Sequence, residues 1–304
     1  MSRNYPSRRS LLYSALALRS LRASAADTTP LNLFRGNLDI HLDSGHRDLS
    51  DPELFKWISD AAQAVARYYG AFPVPRARLR VAFAAGRRGV RNGRSFGDDG
   101  ALTTITVGEH ATPSELKDDW ILTHEMVHWA FPSVAQRHHW IEEGSATYVE
   151  PIARSLAHNL TPARVWGDML RDMHQGVPEP SETGLDNTDT WAATYWGGAL
   201  FCLLADVEIC QRTANAKGLE DAFRAIVKAG GNITADWPLT KAFEIGDQAI
   251  GGSTLQTLYQ QMGLRYKQID LPGLWRQLGV SAGPQGAAFD DKVPLASVRR
   301  TILS

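Results

Sequence analysis

Residues Trp120 to Tyr148 read WILTHEMVHWAFPSVAQRHHWIEEGSATY. Within them lie His124-Glu125-Met126-Val127-His128 and, after a turn-like break at Pro132-Ser133, Glu142-Glu143-Gly144. On a helix, side chains four residues apart share a face, so His124 and His128 can reach one ion together. Glu125 can hold a carboxylate beside an ion-bound water without ligating the ion itself. With nine histidines in the chain, chance would supply this pentapeptide on the order of once in a hundred such sequences. Trp120, Ile121, Val127 and Trp129 flank it, which argues against two ordinary surface histidines.

A catalytic zinc takes three protein ligands and keeps a fourth position open. A helix, a short loop and a second antiparallel helix would bring Glu142 or Glu143 beside the histidines. Consecutive helical residues diverge by about 100°, so only one of the two can ligate. His138 and His139 are rival third ligands, placed by the sequence in the connecting segment.

HEMVH followed by WIEEGSATYVE resembles the gluzincin peptidases, in which HExxH is followed by a glutamate just before a glycine on the next helix. That resemblance implies Glu143 as the third ligand of a single zinc ion, with His124 and His128, and Glu125 as general base. The spacing from His128 to Glu143 is similar to that of the glycyl aminopeptidase family. Thr194-Tyr195-Trp196-Gly197-Gly198 resembles the tyrosine-x-x-glycine segment of aminopeptidase N-like and glycyl aminopeptidase-like enzymes. It implies that the Tyr195 hydroxyl stabilises an oxyanion, with Tyr148 as competitor. Leu203–Ile209 and Leu219–Arg224 add to the resemblance, which covers roughly residues 65 to 300.

The resemblance implies an α+β, thermolysin/gluzincin-like catalytic fold, with a small N-terminal mixed β-sheet lobe and a mainly α-helical C-terminal lobe. It implies a zinc-dependent peptidase acting on a peptide or protein substrate. The rival readings are a non-catalytic peptide- or protein-binding module on a peptidase fold and a zinc hydrolase of non-peptide amides. Ala101–Val107 lies where the relatives place a substrate-pairing edge strand. It lacks the neighbouring Gly-rich, glutamate-containing signature that grips a free amino group, so aminopeptidase and endopeptidase both stay open.

Local patterns divide the chain into residues 27–111, an α/β lobe holding the substrate-edge strand, and 112–304, a helical lobe carrying the zinc site. Leu38–Leu42, Leu79–Phe83 and Ala101–Val107 alternate or are β-branched like strands. Asp51–Tyr69 reads as a helix, with Asp51 as a candidate cap, Pro52 in its first turn and Gly70 as stop. Thr112-Pro113-Ser114-Glu115 opens a helix expected to run to about Trp129. Further helices are expected at Ile141–Ala157, despite Pro151, at Ala192–Arg212 and at Thr254–Met262. Arg87, Arg88, Arg91 and Arg94, spaced by glycines, read as a solvated loop or as a rim attracting acidic groups.

The 304 residues carry a net charge of -1, which gives no electrostatic reason to expect a nucleic-acid partner. Arg8-Arg9, the apolar run Leu11–Leu18 and Ala23-Ser24-Ala25 follow the layout of an export signal over residues 1–26, with a twin-arginine cast. That layout implies a periplasmic or secreted protein, and a cytoplasmic one if the segment is not a signal. No later stretch reaches the ~18 consecutive apolar residues of a membrane span. Cys202 and Cys210 sit about 12 Å apart along one helix, too far for a mutual disulfide. Oligomeric state leaves no mark in the sequence.

Overall fold

The computed structural model describes residues 29–33 and 36–304; residues 1–26, read from the sequence as an export signal, lie outside them. Two strands come first, β1 (Thr29–Leu33) and β2 (Gly36–Leu42), then helix α1 (Asp51–Tyr69). Its N-cap is Ser50 rather than Asp51: the Glu53 carboxylate accepts from the Ser50 backbone N–H at 2.8 Å, closing a capping box. Gly70, at φ 74°, ends the helix in the left-handed conformation glycine adopts without strain.

Strands β3 (Arg76–Ala84), β4 (Val90–Phe96) and β5 (Ala101–Gly108) complete a mixed five-stranded sheet of order β1-β2-β3-β5-β4. The parallel core β2-β3-β5 buries Ile40, Leu79, Val81, Ile105 and Val107 on one face. The other face is polar: Arg76 and Arg80 of β3 pair with Asp39 and Asp43 at 2.5 and 2.8 Å. Two expectations are corrected here. Ala101–Val107 is an internal strand, hydrogen-bonded on both sides. The edge is β4, antiparallel to β5, formed from the Arg/Gly segment whose polar composition reads as a loop. Charged edge strands are a common way of leaving a sheet border open without inviting aggregation.

The remaining elements are α2 (Pro113–Asp118), α3 (Ile121–Val127), α4 (His139–Leu156), α5 (Pro162–Asp172), α6 (Gly198–Arg212), α7 (Leu219–Lys228), α8 (Leu239–Ile250), α9 (Thr254–Leu258), α10 (Leu271–Leu278), hairpin strands β6 (Val280–Gly283) and β7 (Gly286–Phe289), and α11 (Ala296–Thr301). The α+β arrangement, with a mixed sheet first and helices after it, is the one the resemblance implies.

The helix expected from Thr112 to Trp129 breaks at Asp119. Its carboxylate accepts from the backbone N–H groups of Ile121 and Leu122 at 3.0 and 3.1 Å, giving α3 a cap of its own. Trp57 of α1 donates to the same carboxylate at 3.2 Å. Arg154 of α4 donates to Glu150 at 2.8 Å and to the Lys117 carbonyl at 3.0 Å. These bonds tie the start of α3 to α1, α2 and α4, and so fix the register of the histidine helix on its neighbours. Helix α4 continues through Pro151; the burial of Ile152 and Ala153 around it offsets one lost backbone bond.

The expected helix 192–212 begins with a π-turn over Ala193–Gly197 before α6. The combined span Ala193–Arg212 is long and apolar enough to cross a membrane by length and composition, yet it is mostly buried inside the protein. It serves as the central core helix. Cys202 and Cys210 on it are buried free thiols, and Tyr148 of α4 donates to its buried Asp206 at 2.8 Å.

Candidate metal centre

Helix α3 ends at Val127, and His128 begins a short 3-10 turn, so the two histidines straddle the junction of the two helix types. Both rings still reach the same point. Glu143, in the second turn of α4, lies opposite: its Oε2 is 3.2 Å from His124 Nε2 and 3.6 Å from His128 Nε2. The three donor atoms all lie within 4.8 Å of one another. Zinc holds such ligands at about 2.0–2.2 Å in a tetrahedron, whose edge is then about 3.4 Å. The two measured separations bracket that value, and two imidazoles with one carboxylate suit a borderline-soft ion. The residues fit zinc.

The rivals are otherwise engaged. Glu142 faces away, 2.8 Å from His139 Nδ1 and 3.4 Å from the Val134 N–H that it accepts. Buried His138 lies 2.8 Å from Asp186, which also accepts from Trp140 at 2.8 Å and Tyr259 at 2.7 Å. His139 approaches Oε1 of Glu143 at 3.3 Å, the carboxylate oxygen turned away from His124 and His128.

Glycine explains why the glutamate precedes Gly144. A Cβ there would lie 2.3 Å from the backbone of Gly198, and one on Gly198 would lie 2.0 Å from the Trp140 carbonyl oxygen. The backbones of α4 and α6 therefore touch at a glycine pair one residue from Glu143 and three from Tyr195. Tyr195, in the π-turn, stacks on His124 with ring centroids 6.1 Å apart and on Trp191 at 5.4 Å. π-turns recur at functional sites because the inserted residue re-aims a side chain. Tyr148 is excluded as its competitor by full burial and its bond to Asp206. Thr147, one turn beyond Glu143, has a buried hydroxyl without a hydrogen-bond partner.

Glu125 is 9% exposed, on the side of α3 that meets β4. Burial raises its pKa above the usual carboxylate range, against the pull of His128 and His124. Ser95 of β4 reaches it: Ser95 Oγ is 2.9 Å from Glu125 Oε2. Ser95 and its neighbour Gly93 were missed in the sequence; the one available signal is a pair of small residues at alternate positions beside the arginines.

In the metal-free protein, burial disfavours a charged His128, but the Glu143 carboxylate overrides it and raises the imidazole to about 9. A ligand imidazole must be neutral, so below that pH zinc has to displace a proton. Zinc affinity should therefore rise about tenfold per pH unit between roughly pH 6 and 8 and level off above the His128 pKa. Competition titrations with a chromophoric chelator measure this; an affinity flat across that range would refute the proton competition.

No protein-family model matches the chain, and no curated protein matches it. Solved structures do. An aminopeptidase N family protein from Idiomarina loihiensis superposes with TM-score 0.63 over 85% of this chain and 52% of its own, at 11% identity. The M1 zinc metallopeptidase from Deinococcus radiodurans superposes with TM-score 0.53 over 81% of this chain and 53% of its own, at 14% identity. The chain shares the fold of these structures. It spans about half their length. A mutant of the Deinococcus protein bound to a Tyr-Ser-Ala substrate aligns at TM-score 0.51 and 14% identity.

Proposed function

We propose that this protein is a zinc-dependent peptidase, with zinc held by His124, His128 and Glu143. The observation that carries the reading is three donor atoms within 4.8 Å of one another, the Glu143 oxygen 3.2 and 3.6 Å from the two imidazole nitrogens, with a buried carboxylate and a tyrosine beside them, on a gluzincin fold. A zinc ion held there would polarise the scissile carbonyl and acidify a water. Glu125 takes a proton from the attacking water and passes it to the leaving nitrogen. Tyr195 donates its hydroxyl hydrogen to the developing oxyanion. The free side of edge strand β4 offers backbone groups to an extended peptide. The basic, apolar and small-residue order of residues 8–25 supports export from the cytoplasm.

Digestion of a broad peptide library, read by mass spectrometry with and without chelator, tests this. Chelator-sensitive cleavage is expected. Bound zinc with no cleavage of any peptide would favour a binding module instead.

A further inference from the structure

Strand β4 comes closer to the Glu125 side chain than an ordinary strand can. A Cβ on Gly93 would lie 2.5 Å from Glu125 Cγ and 3.0 Å from Ile121 Cγ2. Only glycine lets the edge strand sit directly on α3 at that point. Two residues on, and so on the same face of the strand, Ser95 Oγ has three neighbours: Glu125 Oε2 at 2.9 Å, the Glu125 main-chain oxygen at 2.8 Å and Thr103 Oγ1 at 2.7 Å.

Hydrogen counting orders this cluster. A hydroxyl carries one hydrogen and two acceptor sites. Thr103, 0% exposed on β5, can give its hydrogen to Ser95 Oγ, which frees the Ser95 hydrogen for Glu125. Both oxygens of Glu125 within reach are acceptors, so the Ser95 hydrogen is shared between the carboxyl and the main chain.

Resting on the peptidase reading, we infer that Ser95 is a positioning residue for Glu125: its hydroxyl pins Oε2 so that Oε1 is the oxygen that takes and returns the proton. Oε2 remains an acceptor whether or not Oε1 carries a hydrogen, so the carboxyl does not swing as the proton moves. The main-chain contact ties the same hydroxyl to α3 itself, so base and edge strand keep one spacing. The water's O–H bond breaks toward Oε1, and that proton later forms the new N–H bond of the leaving amine.

The test uses the full chain. Ser95→Ala should lower kcat about tenfold on a chelator-sensitive peptide, with KM within about twofold and zinc content unchanged. Ser95→Thr, which keeps the hydroxyl, should bring kcat back to within about threefold of the parent. A second readout needs no turnover: in zinc-free protein, the loss of denaturation midpoint caused by Ser95→Ala should shrink by about half or more in a Glu125→Ala background. Parental kcat in Ser95→Ala, or equal midpoint losses in the two backgrounds, overturns the inference. If the parent protein cleaves no peptide, the peptidase reading fails, and the midpoint comparison alone decides the role of Ser95.

Discussion

Glu125→Gln should retain zinc and lose about three orders of magnitude in kcat/KM. Glutamine is nearly the same size as glutamate, and its amide oxygen can still accept from Ser95, 2.9 Å from the carboxylate it replaces. What it lacks is a basic oxygen to take the water's proton. Glu125 is not among the three donor atoms within 4.8 Å, so zinc content measured by atomic absorption should not fall. Paired measurements on one preparation separate the roles: lost turnover with zinc retained marks a base, and lost zinc marks a ligand. Near-parental turnover would refute the assignment of Glu125.

Gly144→Ala should damage both the helical lobe and its zinc site. The added methyl would sit 2.3 Å from the Gly198 Cα and carbonyl carbon, both backbone atoms that cannot rotate away. Helix α4 must then move from α6 by on the order of 1 Å, carrying Glu143 away from His124 and His128. Overpacking of this kind costs about 1–3 kcal/mol, and the displaced ligand should weaken zinc binding by about ten- to a hundredfold. Gly45→Ala is the control, since its methyl would meet nothing closer than 3.5 Å. Denaturation midpoints and zinc titrations read both effects. An unchanged zinc affinity in Gly144→Ala would mean that the glycine contact does not position the ligand.

The parts of the site legible in the sequence are those whose chemistry is written in short spacings. His124 and His128 need only one helical face, and Glu143 and Tyr195 are each flagged by a glycine. The structure supplies the reason for those flags: Gly144 and Gly198 are the contact at which α4 and α6 meet. What stayed hidden depends on neighbours distant in sequence. Asp119 looks like one more acid within a helix until Trp57 and the N–H groups of Ile121 and Leu122 converge on it. Strand β4 shows no hydrophobic period because one side is open and its inward positions are Gly93 and Ser95, chosen to fit Glu125. Arg91 and Arg94 beside them then give the segment the composition of a loop. The same long-range pairing put β5 inside the sheet, where periodicity alone cannot distinguish an internal strand from an edge.

X-ray diffraction at the zinc absorption edge, on crystals grown with zinc, tests the metal centre most directly. The expected result is one anomalous peak about 2.0–2.2 Å from His124 Nε2, His128 Nε2 and a Glu143 carboxylate oxygen. A peak in which His139 replaces Glu143, or no peak between the two helices, would contradict it.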